Sequence, residues 1–134
     1  MQNDVQTNES LVRGFLAAAA AGDNDTMTRL AAPDITVIEA ASLPFAGRHV
    51  GLDAFRALVR RVFGALEGTQ LSVEQFIPGE GCVVVLATLR GRSRRDGSAV
   101  EMPIAEVWRI TDGLIREIRP YYFDTALMRE AICP

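Results

Sequence analysis

The chain of 134 residues contains no lysine, one histidine, one tryptophan and two cysteines, and its 14 arginines stand against 17 acidic residues for a net charge of −3. Without a basic surplus it lacks the attraction to phosphate on which most nucleic-acid binders depend, so no nucleic-acid partner is expected. Its longest apolar run, Phe15 to Ala21, falls well short of the ~20 residues that span a bilayer. No basic segment of the signal-peptide kind precedes that run, and a cytoplasmic protein with no membrane contact is expected. Cys82 and Cys133 lie far apart with no CxxC spacing, which points to unpaired thiols in a reducing compartment. Glycine-rich phosphate loops, a GxSxG elbow and a cysteine-nucleophile context are all missing. His49 has no second histidine and no cysteine near it, so it makes a poor metal ligand, and no metal or cofactor is implied.

What is present is an average globular composition, 49% hydrophobic and 23% charged, in a length that suits one domain spanning residues 1–134. Residues 1–8 are polar and are expected to fray. A helix then starts near Asn8 or Ser10, carries the stripe Leu11, Val12, Phe15, Leu16 and Ala19, and stops at Gly22. Asp23 or Asn24 caps a short second helix through Met27 and Leu30, closed by Pro33. From Asp34 the β-branched run Ile35-Thr36-Val37-Ile38 reads as a strand ending near Glu39.

After a loop containing Pro44, Gly47 and Gly51, the stripe Leu52, Phe55, Leu58, Val59, Val62, Phe63 and Leu66 marks a third helix, terminated by Gly68. Four strands follow: Leu71 to Ile77, Cys82 to Arg92, Val100 to Ile110, and Ile115 to Phe123. Asp96-Gly97 and Asp112-Gly113 supply hairpin turns. A short helix through Ala126, Leu127 and Ile132 ends the chain, with Asp124 as its cap. Segregated helices and strands of this kind make an α+β domain, with three N-terminal helices packed on a curved, mostly antiparallel sheet and room for a pocket between the layers.

Four segments, AAGD at Ala20 to Asp23, PDITVIEA at Pro33 to Ala40, FAGRHVG at Phe45 to Gly51 and EVWRITDGLIREIRPYYFD at Glu106 to Asp124, together resemble the SnoaL-like branch of the NTF2-like superfamily. The resemblance implies the cystatin-like cone fold of ketosteroid isomerases and a homodimer paired through the outer face of the sheet. That fold hosts isomerases, cyclases, dehydratases, hydrolases and inert binding domains, so it does not specify an activity.

Glu39 matches the position at which ketosteroid isomerases carry their general base. A carboxylate in a partly apolar pocket has a raised pKa and becomes suited to proton transfer near neutrality. The plainer reading is an exposed glutamate at a strand end. Glu106 matches the position of a protonated acid that hydrogen-bonds the developing oxyanion. It stands among Ile104, Ala105, Val107 and Trp108, an apolar setting for a charge. The other reading of Glu106 is a buried ion pair with Arg90 or Arg119. Two carboxyls facing one cavity would push each other's pKa values apart, giving a base and a donor.

The resemblance has departures. Phe15 occupies the place of the oxyanion-binding tyrosine of ketosteroid isomerases, leaving Tyr121 or Tyr122 to supply a hydroxyl from another wall. Pro120 replaces the acid that polyketide cyclases of this branch carry in the last strand. The Asp-Arg-Asp arrangement of the epoxide-opening hydrolases cannot be assembled from these positions. Phe15, Phe63, Trp108, Tyr121 and Tyr122 are read as core or wall of the substrate pocket, with Arg90 and Arg119 beside them. Arg90, Arg92, Arg94 and Arg95 form either an anion-attracting hairpin or a solvated sheet end.

Three functional readings follow. One is a cofactor-independent isomerase, cyclase or dehydratase acting on a small apolar or polycyclic molecule, with Glu39 and Glu106 as its catalytic residues. Another is a non-catalytic ligand-binding or self-associating domain. In the third, a purely structural dimer module, side chains fill the cavity.

Overall fold

The structure is a computed structural model that describes residues 2–132, with side chains from residue 5 onward. The expectation for Cys133 lies outside those residues, whereas Cys82 is a free thiol. Helix α1 runs from Gln2 to Ala21 and α2 from Asn24 to Leu30; strands β1, Ala31–Glu39, and β2, Gly47–Val50, follow. Helix α3 spans Leu52–Ala65, and after it come β3, Leu66–Pro78, β4, Cys82–Ser93, β5, Ala99–Thr111, and β6, Leu114–Tyr122, before helix α4, Thr125–Ile132. The six strands form one curved sheet in the order β2-β1-β6-β5-β4-β3, in which only the β1–β6 pair is parallel.

Helix α1 begins before the expected start, and residues 5–8 belong to it. Asn8 is in phase with Leu11, Val12, Phe15 and Ala18 on the buried face, and is itself only 6% exposed. Its amide donates to the carbonyls of Gly79 and Glu80, both at 3.0 Å, so the β3–β4 turn holds the first turns of the helix in place. Side-chain amides that satisfy buried carbonyls offset the weak helix propensity of Asn. At the other end of the helical layer, the Asp23 carboxylate accepts from the Thr26 N–H at 3.1 Å and caps α2.

Three boundaries differ from the sequence reading. Strand β1 already starts at Ala31, and Pro33 sits inside the break in register between Ala31 and Thr36, where its missing N–H interrupts no ladder bond. Strand β2 was expected to be loop; Gly47 to Val50 pairs antiparallel with β1, with Glu39 opposite Gly47. Gly68 does not end a helix. It lies within β3 at φ +63°, in a register shift between Glu67 and Gln70, the backbone conformation of a bulge glycine.

Arg94 terminates α3 instead, donating to the carbonyls of Gly64 at 3.0 Å and Leu66 at 3.3 Å. Asp124 caps α4 through the Leu127 N–H at 2.9 Å, as expected, and the Ser93 hydroxyl ties that helix to the sheet through the Ala131 carbonyl. The core lies between α1 and α3 and the concave sheet face. Phe15, fully buried, packs edge-on against Phe55 at 5.2 Å and Trp108 at 5.6 Å between ring centres. Each such buried side chain contributes roughly 1.5–3 kcal/mol through the apolar surface it removes from water. Among the described residues no helix is long and apolar enough to cross a membrane.

Candidate functional site

The helices do not fill the sheet's concavity. A cavity of about 390 Å³ remains, walled by α1 and α3 on one side and by β1, β3, β4, β5 and β6 on the other. Its walls are apolar apart from Glu39, Glu106, Trp108 and Tyr122. Strand alternation explains why these four converge. Val37 of β1 lies beside Ile118 of β6, which lies opposite Trp108 of β5. One pleat further along come Glu39, Pro120 and Glu106, and all three line the cavity. Pro120 cannot donate to β1, and the pairing of the two strands ends at Val37 and Ile118, short of Glu39 and Pro120.

Glu39 is 6% exposed, and its Oε1 is buried without a hydrogen-bond partner. Burial, reinforced by the charge of Glu106 and opposed by a hydrogen bond from the Tyr122 hydroxyl, lifts its pKa to about 7. Glu106 accepts a hydrogen bond from the Trp108 indole N–H at 3.1 Å. Desolvation raises its pKa too, and the indole opposes the rise. Burial and the neighbouring carboxylates push the Tyr122 hydroxyl up, so it remains a neutral donor. Both carboxyls therefore favour the protonated form more than an exposed glutamate does.

The other sequence-predicted residues divide. Phe63 lines the cavity at 41% exposure, on the solvent side of α3, and Trp108 and Tyr122 line it from the sheet. Phe15 is not part of the wall; it lies behind it, bracing Trp108 and Phe55. Tyr121 and Arg119 alternate with Pro120 and Tyr122 on β6 and therefore point to the outer face, where Tyr121 is 54% exposed. Arg119 pairs with Glu117 at 3.3 Å. Arg90 lies on the outer face of β4, beside Leu89 of the inner face, and pairs with Glu101 at 3.2 Å. Neither arginine forms an ion pair with Glu106, which excludes that reading of the buried acid.

The hairpin arginines Arg92 and Arg94 donate to the carbonyls of Gly97, Gly64 and Leu66, so one braces the β4–β5 turn and the other the end of α3. His49 belongs to β2, and its Nε2 is 2.8 Å from the Phe45 carbonyl oxygen. The helical share of the wall, Leu16, Phe55, Leu58 and Val62, was visible in the sequence only as apolar stripe. Nothing in a stripe tells a core position from a cavity wall, since both require the same side chains.

Known proteins agree with this architecture. The structure superimposes on an NTF2-like protein from Burkholderia thailandensis E264 with a TM-score of 0.79 at 28% identity, over 93% of this chain and 96% of the other. A putative SnoaL-like polyketide cyclase from Jannaschia sp. CCS1 gives a TM-score of 0.76 at 19% identity, over 96% and 94% of the two chains. TerC, co-crystallised with polyporic acid, gives 0.76 at 21% identity, over 94% and 98%. No curated protein matches the sequence significantly. The family model of the SnoaL-like domain matches residues 12–118, from the buried stripe of α1 to the β6 residue beside Trp108, and the chain belongs to that family.

Proposed function

We propose that this SnoaL-like protein is a cofactor-independent isomerase, cyclase or dehydratase for a small apolar molecule, with Glu39 as general base and Glu106 as proton-donating acid. The observation that carries the reading is the shared row of Glu39, Pro120 and Glu106 on the wall of an otherwise apolar cavity. In the isomerase form, the Glu39 carboxylate takes a proton from carbon next to a ketone, and the released electron pair moves onto the carbonyl oxygen. The protonated Glu106 hydrogen-bonds that oxygen, and Glu39 returns the proton to a different carbon. A pKa of about 7 suits Glu39 to both transfers. The Trp108 N–H holds one oxygen of Glu106 and leaves the other for the substrate.

Conversion of a β,γ-unsaturated ketone to its conjugated isomer, followed by ultraviolet absorbance, tests the reading. Turnover that Glu39→Gln abolishes while the fold survives supports it; full activity in that variant overturns it.

A second reading, a ligand-binding domain without catalysis, is favoured by Phe15, which places no hydroxyl where ketosteroid isomerases have one. Absence of turnover across such ketones, together with ligand binding, would select it. In either case the outer sheet face, where Ile77 and Tyr121 are exposed, suits self-association into a homodimer. Sedimentation as a monomer at micromolar concentration would contradict that assembly.

A further inference from the structure

We propose that the cavity binds an apolar amine in its cationic form, with the ammonium group at the Glu39–Glu106 pair and the hydrocarbon part among the aromatic walls. The inference goes beyond acid-base turnover and stands whether or not the protein is an enzyme.

The cavity wall carries two carboxyls and no arginine or histidine. Basic groups on neighbouring elements are turned elsewhere: His49 meets the Phe45 carbonyl, Arg61 donates to the Pro44 carbonyl at 2.7 Å, Arg48 is exposed on β2, and Arg119 lies on the outer face of β6. Helices α1 and α3 present only apolar side chains to the cavity. The titratable groups facing Glu39 are therefore Glu106 from β5 and Tyr122 from β6. A buried carboxylate with no cation beside it is costly, and that cost is relieved when a cation arrives.

The donors already present are engaged. The Trp108 N–H is on Glu106, and the Tyr122 hydroxyl favours the ionised form of Glu39. The Glu39 Oε1, buried and without a partner, is the acceptor left over. An ammonium N–H supplies what that oxygen lacks, and a carboxylate or phosphate ligand would meet only like charge. The rings of Phe55, Phe63, Trp108 and Tyr122 complete the site, since aromatic faces attract a desolvated cation as well as an apolar skeleton. A cation beside Glu39 favours its ionised form and displaces its proton, so affinity for the amine rises with pH while affinity for an uncharged analogue does not.

Isothermal calorimetry with 2-naphthylmethylamine, 2-naphthylmethanol and 2-naphthoic acid separates charge from shape on one skeleton. At pH 8 the amine is expected to bind at least about tenfold more tightly than the alcohol, a difference of about 1.4 kcal/mol, and the acid not at all. At pH 5 the advantage of the amine disappears, and proton release on binding the amine at pH 7 accounts for it. Glu39→Gln removes the advantage of the amine over the alcohol at pH 8; Glu106→Gln, which keeps Glu39, reduces it and serves if the first variant fails to fold. An alcohol that binds as tightly as the amine at pH 8 overturns the proposal. So does an advantage that neither pH 5 nor the two variants diminish, or the failure of all three probes to bind.

Discussion

Glu39 and Glu106 stand on the same face of the sheet, one on either side of Pro120, and both line the cavity. Because β6 separates their strands, their backbones are two strand spacings apart, roughly 10 Å. The proline ring between them is small and offers neither charge nor donor. Both carboxyls are therefore desolvated by the same apolar space, and Glu39 also feels the charge of Glu106.

This relationship makes the folded protein sensitive to rising pH. The Glu39 pKa is lifted from 4.5 to about 7, so the native state holds a proton that the unfolded chain has already released. Stability is undiminished below about pH 4.5, falls between 4.5 and 7, and levels off above, with a loss on the order of 3 kcal/mol from this group. Glu39→Gln is expected to be more stable than the parent at pH 8 by about that much, and equal to it near pH 4.5. Urea denaturation at the two pH values measures both; equal stability at pH 8 contradicts the burial of a charge at this position.

Trp108→Phe deletes the indole donor and keeps a ring against Phe15. It is expected to cost about 1 kcal/mol for the lost hydrogen bond and to raise the Glu106 pKa further, because the N–H stabilises the ionised form. Carbon-13 titration of the Glu106 carboxyl reads the shift directly. A downward movement would mean that the indole does not face the carboxylate.

Tyr122→Phe removes the hydroxyl that favours ionised Glu39. The midpoint of Glu39 is expected to move above 7, and the acid limb of any activity that needs Glu39 as a base moves up with it. An unchanged midpoint, followed by the same carboxyl titration, would remove Tyr122 from the account.

Asn8→Ala leaves the carbonyls of Gly79 and Glu80 without their amide partner. A loss of about 1–3 kcal/mol is expected, with faster amide exchange concentrated in α1 and the β3–β4 turn. Exchange that accelerates evenly over the chain would argue against a local clamp.

Much of this architecture was legible beforehand, and the failures have physical causes. The stripe of α3, the two Asp-Gly hairpins and the apolar surroundings of Glu106 each followed from one local rule. The choice between Tyr121 and Tyr122 did not. Counting back from the Asp112-Gly113 turn, Thr111 pairs with Leu114 and Ile110 with Ile115, a register that would set Trp108 opposite Glu117. A bulge beyond Ile110 shifts the partner of Trp108 to Ile118 and reverses which residues of β6 face inward. That bulge carries no glycine, so alternation counted from the turn points Arg119 and Tyr121 the wrong way. Gly68 misled for the converse reason, since a positive φ serves a bulge as well as a helix end. Strand β2 was hidden because a four-residue edge strand flanked by glycines has the composition of a loop.

The central claim is that Glu39 and Glu106 form one coupled pair inside an apolar cavity. Carbon-13 titration of the Glu39 carboxyl in the wild type and in Glu106→Gln tests it most directly. The account predicts a midpoint near 7 in the wild type and a lower one in the variant, since removing the neighbouring charge removes part of what raises it. A midpoint near the ordinary 4.5 in the wild type, or one that Glu106→Gln leaves in place, would contradict it.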